Sequence, residues 1–147
     1  MTTSVSVDSA APNYLQTIRA SGHLIQVDEP ASAGGMDAGP SPYELLLGAL
    51  GTCKAITVRM YAARKGWPLE SVRVILSHDR GHADDCLKCQ DTAAQIDHID
   101  VQIEFVGIAL SASQRQTLLA VAEKCPIHRT LTGGVQIRTR ALAADPN

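Results

Sequence analysis

Hydrophobic and polar positions alternate along this 147-residue chain with periods that change from segment to segment, and those changes mark the elements. The stretch "YLQTIRASGHLIQVDEP" holds two short apolar-rich runs on either side of Ser21-Gly22, which predicts two strands joined by a tight turn. From Pro30 to Pro40 the chain ("PASAGGMDAGP") has no period and reads as a loop. A helical signature follows. Ser41 is a good N-cap, Pro42 suits the first helical position, and Glu44 completes a capping box. Arg64 and Lys65 fall in the last turn and Gly66 stops it, so a helix is predicted to about Lys65. Leu46, Leu50, Cys53, Thr57 and Met60 form one stripe, while Leu45, Leu47, Ala49, Ile56 and Val58 cover much of the remaining surface. A helix this apolar is expected to be buried by other elements or by a second subunit.

"SVRVILSH" (71–78) then predicts a strand, followed by a polar loop from Asp79 to about Gln95. "IDHIDVQIEFV" alternates, with Ile99, Val101, Ile103 and Phe105 expected inward and His98, Asp100, Gln102 and Glu104 outward. "SASQRQTLLAVAEK" is a second amphipathic helix with Ser111 and Gln114 in capping-box register. Cys125-Pro126 breaks it, a short helical turn runs through Leu131, Gly133-Gly134 ends that, and "VQIRTR" is expected as a closing strand. Residues 1–12 and 141–147 read as flexible tails around a single domain, 13–140. The order of elements predicts an α+β fold: an antiparallel sheet with a long buried helix and a second helix packed on it.

Composition narrows the function. Hydrophobic residues at 45% and charged residues at 19% fit a folded domain, not a disordered chain. A net charge of −2 offers no electrostatic case for nucleic acid or an anionic membrane surface. No uninterrupted apolar run approaches the roughly 18 residues of a membrane span. The N-terminus lacks a basic start followed by an apolar stretch, so no signal peptide and a cytoplasmic location are expected. The four cysteines are then expected to be mainly reduced, and to be catalytic, metal-binding or inert.

Cys53 lies about three turns into the long helix, beyond the reach of its N-terminal dipole. It is either a small core hydrophobe or a thiol that draws a cation or hydrogen-bond donors from elsewhere in the fold. Cys125 directly precedes Pro126, so its sulfur is placed to face unpaired N–H groups at a helix start, with His128 and Arg129 adding positive potential. Its plainer role is to end the preceding helix and pack. Cys86 and Cys89 form a CxxC with His78 and His82 upstream, a set of soft ligands that can hold zinc. The same pair can be a redox dithiol, or an exposed pair with no special role, since it sits in a hydrophilic loop and opens no helix.

"SPYELLLGALGTC", followed 72 residues after its cysteine by "CPIHRTL", a glycine break and a final strand, resembles the OsmC family of osmotically inducible proteins and organic hydroperoxide resistance proteins over roughly Tyr14 to Thr139. The resemblance implies an intertwined homodimer with the long helices central. It also implies thiol-dependent reduction of organic hydroperoxides, extending to hydrogen peroxide, with no cofactor required. Carried onto this sequence, Cys53 is the peroxidatic cysteine and Cys125 the resolving one, and a thiol reductant of lipoyl type restores both. An arginine and a glutamate activate the mid-helix thiol in the family. Arg19 is the only arginine before the long helix and so its candidate. The family glutamate directly follows the helix-opening proline, where this chain has Tyr43; Glu44, one place later, is either its replacement or only a cap. The CxxC loop is a further departure. It keeps open an alternative function, a stress-associated protein that binds metal or an apolar ligand and has little peroxidase activity.

Overall fold

The computed structural model describes residues 2–10, 12–82 and 95–142. Its elements are β1 (Ser6–Ser9), β2 (Gln16–Ala20), β3 (His23–Val27), a single 3₁₀ turn (Ala31–Ala33), α1 (Pro42–Lys65), β4 (Ser71–His82), β5 (Gln95–Val106), α2 (Ala112–Ala122) and α3 (Pro126–Gly133). The fold is α+β. Strands β1, β2 and β3 form one antiparallel sheet in that order, and β4 pairs with β5 in a second, two-stranded sheet. The chain divides into two compact units, Met1–Thr52 with Arg73–Glu104, and Cys53–Val72 with Phe105–Asn147.

In the first unit the predicted hairpin forms β2 and β3, and its turn has positive φ at both central residues, Ser21 (47°) and Gly22 (84°). That is the twist which lets two strands pair through a two-residue connection. Residues 6–9, expected within a loose tail, instead form the edge strand β1, opposite β2. All four are exposed, so backbone pairing and not burial holds β1, and hydropathy carries no sign of it. The loop after β3 is pinned by Asp28, whose side chain is only 2% exposed. Its carboxylate accepts N–H bonds from Glu29 (2.8 Å), Met36 (3.0 Å) and Ala38 (3.3 Å). Burial by itself raises the Asp28 pKa, but those three donors outweigh it and hold the carboxyl below its usual value. Gly51 of α1 lets the helix lie close to β4: a Cβ there would meet Leu76 Cδ1 at 2.6 Å.

Helix α1 has the bounds its caps predicted, with both capping-box bonds made between Ser41 and Glu44 and with Gly66 at φ 65° as the stop. The stripe it buries differs from the expected one. Leu50, Lys54, Val58 and Ala62 are buried, at steps of four, while Leu46, Ile56 and Met60 are exposed. By length and composition α1 also meets the measure of a membrane-spanning helix. Counting uninterrupted apolar runs missed this, because Thr52, Lys54, Thr57 and Arg59 punctuate the segment.

The second unit has its core in Val58, Ala62, Phe105, Leu110, Leu118, Val121, Ala122 and Cys125. Helix α2 opens with both bonds of the predicted capping box, Ser111 Oγ accepting from Gln114 N–H at 3.1 Å and Gln114 Oε1 accepting from Ser111 N–H at 2.9 Å. Arg115 ties it to the end of β5, donating to the carbonyls of Phe105 and Gly107. Both long strands extend past their predicted ends toward each other, and the CxxC segment between them lies outside the described residues. On β5 the expected alternation holds from Ile99 to Phe105, but His98 is half-buried, not exposed. The closing strand is absent. Residues 134–142 have no regular structure, and Val135 and Ile137 are exposed, the latter at 84%. Their alternation suits a half-buried strand, yet among the described residues no sheet edge pairs with them.

Candidate active site

The break between α2 and α3 seats Cys125. Pro126 fills the first position of α3, where its missing N–H is no loss, and Cys125 takes the cap position. Its sulfur accepts the His128 backbone N–H at 3.2 Å, as the cysteine-proline pair predicts. Cys125 is buried, Cys53 on α1 is half-buried, and both are free thiols. Cys53 lies near enough to Cys125 to influence the titration of its thiol. Burial pushes the Cys125 thiol up, and the His128 N–H at its sulfur opposes this. The neighbouring Cys53 pushes it up further, while the charge of Lys54 pulls it down. The net direction is upward, toward the protonated thiol.

Beside the thiols stands a cation the sequence reading passed over. Lys54 follows Cys53 directly and its side chain is only 1% exposed. Its ammonium lies 3.2 Å from the Ala122 carbonyl, 3.3 Å from Glu123 Oε1 and 3.0 Å from His128 Nδ1. An ammonium has three donors and no acceptor, so all three are used and His128 Nδ1 must accept. That puts the imidazole hydrogen on Nε2, which lies 3.4 Å from Glu123 Oε2. A lysine at a step-of-four position between Leu50 and Val58 was the available signal, because a charge on a buried stripe needs partners. No local feature indicated which groups those would be.

The other candidates lie elsewhere in the chain. Arg19 on β2 pairs with Asp8 of β1 at 3.2 Å, and both side chains are largely exposed. Glu44 accepts the Ser41 N–H at 2.7 Å, and that bond, with the Ser41 hydroxyl, holds its carboxyl below the usual value. Tyr43, in the place of the family glutamate, stacks on His78 with ring centroids 4.3 Å apart. His78 Nε2 is 2.8 Å from Asp97 Oδ1, which Arg80 also approaches at 3.3 Å. The His78 bond is the main reason the Asp97 carboxyl sits below its usual value. The side chain of His82, with Cys86 and Cys89, lies outside the described residues. Among the described residues no group of three or more His, Cys, Asp or Glu is placed to hold a metal ion.

Solved structures share this fold at low sequence identity. An OsmC-like protein from Mycoplasma pneumoniae matches with a TM-score of 0.71 and 18% identity, over 90% of this chain and 89% of that one. An organic hydroperoxide resistance protein OsmC from Legionella pneumophila matches with a TM-score of 0.65 and 16% identity, over 90% of each chain. An organic hydroperoxide resistance protein from Elizabethkingia anophelis, solved with thiocyanate bound, matches with a TM-score of 0.62 and 12% identity, over 88% of this chain and 86% of that one. No curated protein matches the chain. The sequence model of the OsmC-like proteins matches residues 34–140, which include Cys53, Lys54, Cys125 and His128. The chain therefore belongs to the OsmC-like protein family.

Proposed function

We propose that this protein takes part in the response to hydroperoxides as a thiol-dependent peroxidase that prefers organic hydroperoxides. The observation that supports this most is the proximity of two free thiols 72 residues apart in sequence, Cys53 lying near enough to Cys125 to influence its titration. The names of the Legionella and Elizabethkingia relatives point the same way. The Cys53 thiolate attacks the distal oxygen of ROOH and the O–O bond breaks. The alkoxide leaves as an alcohol once protonated, and Cys53 becomes a sulfenic acid. Cys125, kept protonated until then, closes a disulfide with Cys53, and an external dithiol of lipoyl type reduces it. A second copy of the chain covers the exposed apolar residues of α1 and the unpaired segment 134–142.

A thiol-driven assay with cumene hydroperoxide and hydrogen peroxide tests the reading. Turnover should vanish in Cys53→Ser. In Cys125→Ser it should stall after a single event, leaving a sulfenic acid on Cys53 that dimedone traps and mass spectrometry locates. Undiminished turnover in Cys53→Ser would end the proposal.

A further inference from the structure

Lys54 occupies a position that a space-filling residue would serve at less cost. Burying an ammonium is unfavourable unless its hydrogen bonds are made and its charge is used or neutralised. Here the bonds are complete, but neutralisation is only partial: Glu123, the one carboxylate in contact among the described residues, is 58% exposed. Positive potential is therefore left on the buried side. One acceptor of Lys54 is the His128 ring, and the backbone N–H of that same residue donates to Cys125 Sγ. Clamp and thiol share the first turn of α3.

We propose that Lys54 is a positioning residue for disulfide closure, its clamped ammonium steadying the negative charge that Cys125 carries as it attacks Cys53. The inference rests on the peroxidase reading above. In the step, Cys125 gives up its proton and its thiolate attacks the sulfenyl sulfur of Cys53, which the hydroperoxide has oxidised by two electrons. The S–S bond forms, the S–O bond breaks, and the departing hydroxide leaves as water with the thiol proton. Burial opposes that ionisation; the His128 N–H and Lys54 favour it. When an external thiol reopens the disulfide, the same cation stabilises Cys125 as the leaving group. Glu123 and the His128 ring hold Lys54 at its post, and among the described residues the charged or titratable side chains bonded to one another there are these three, beside the two cysteines.

The test has two arms. In the first, Cys53, Cys86 and Cys89 are replaced by serine and Cys125 is titrated by its ultraviolet thiolate absorbance. Lys54→Gln, which keeps donors for Ala122 and Glu123 but no charge, should raise the midpoint by about one pH unit. Lys54→Arg should keep the midpoint near that of lysine. An unmoved midpoint in Lys54→Gln, with folding checked by thermal melting, overturns the inference. In the second arm, closure of the Cys53–Cys125 disulfide is timed in the otherwise unchanged chain, using one equivalent of cumene hydroperoxide or of the thiol oxidant diamide. Lys54→Gln should slow closure roughly tenfold at neutral pH and recover as pH rises, because the effect acts through the thiolate fraction. Slowing that is the same at every pH marks a structural defect and overturns the inference. Lys54-dependent closure with diamide, without reaction with hydroperoxide, would remove the peroxidase reading alone.

Discussion

Cys125 sits under opposed influences, and their net direction sets a pH dependence. Burial leads in raising its pKa, so at neutral pH the thiol is mostly protonated. A thiolate is the attacking species, and below the pKa its fraction grows roughly tenfold per pH unit. Rapid-quench measurement of disulfide closure after one equivalent of hydroperoxide should show that rise; a rate flat with pH would mean that Cys125 is not the attacking group. Asp28 gives the opposite sign. Its folded-state pKa is depressed, so its contribution to stability is full above the unfolded value near pH 4 and is lost as pH falls through the folded one. Asp28→Asn should lower the melting temperature at neutral pH, and its deficit against the parent should shrink in acid. A deficit that stays constant with pH would show that the carboxylate charge is not what pins the 28–40 loop.

At the scale of elements, two helices begin with complete capping boxes, and the third begins with a proline and a cysteine sulfur. Ser111→Ala removes the hydroxyl that accepts the Gln114 N–H and should cost about 1 kcal/mol in urea unfolding. Leu118, on the same helix, is fully buried, and Leu118→Ala should cost about 2–5 kcal/mol through lost burial and a residual cavity. The ratio of the two is the informative quantity. If the cap costs as much as the core leucine, α2 is held by its own start more than by packing. The expected order has packing dominant, because helices of this length draw most of their stability from a buried face.

At the scale of the whole molecule, much apolar surface remains uncovered. Ile56 and Met60 on α1 are exposed, as are Val135 and Ile137 beyond α3. A strand-like segment with no ladder partner among the described residues is an opening for another chain. Light scattering should give the mass of two chains, and Ile137→Asp should shift the equilibrium toward one. A monomer at micromolar concentration would remove the second copy from the proposed function.

Local signals were legible wherever the physics is local. Caps at Ser41 and Ser111, the stops at Gly66 and Gly134, the Ser21-Gly22 turn and the period-two run on β5 all depend on residues within a few positions of one another. The two motifs around Cys53 and Cys125 were likewise readable as a pair. Three things were not. The β1 strand buries nothing, so the hydrophobic pattern was silent. The stripe that α1 buries could not be chosen from a helix apolar on most sides, and the choice fell on the face that carries Lys54. The partners of Lys54 lie 68 to 74 residues away, and long-range contacts of that kind leave no periodicity to read. Sequence alone determined where the three helices and the β2–β3 turn begin, and which thiols to examine. Tertiary structure decided which buried charge stands beside those thiols, because desolvation and pairing depend on what the folded chain brings together.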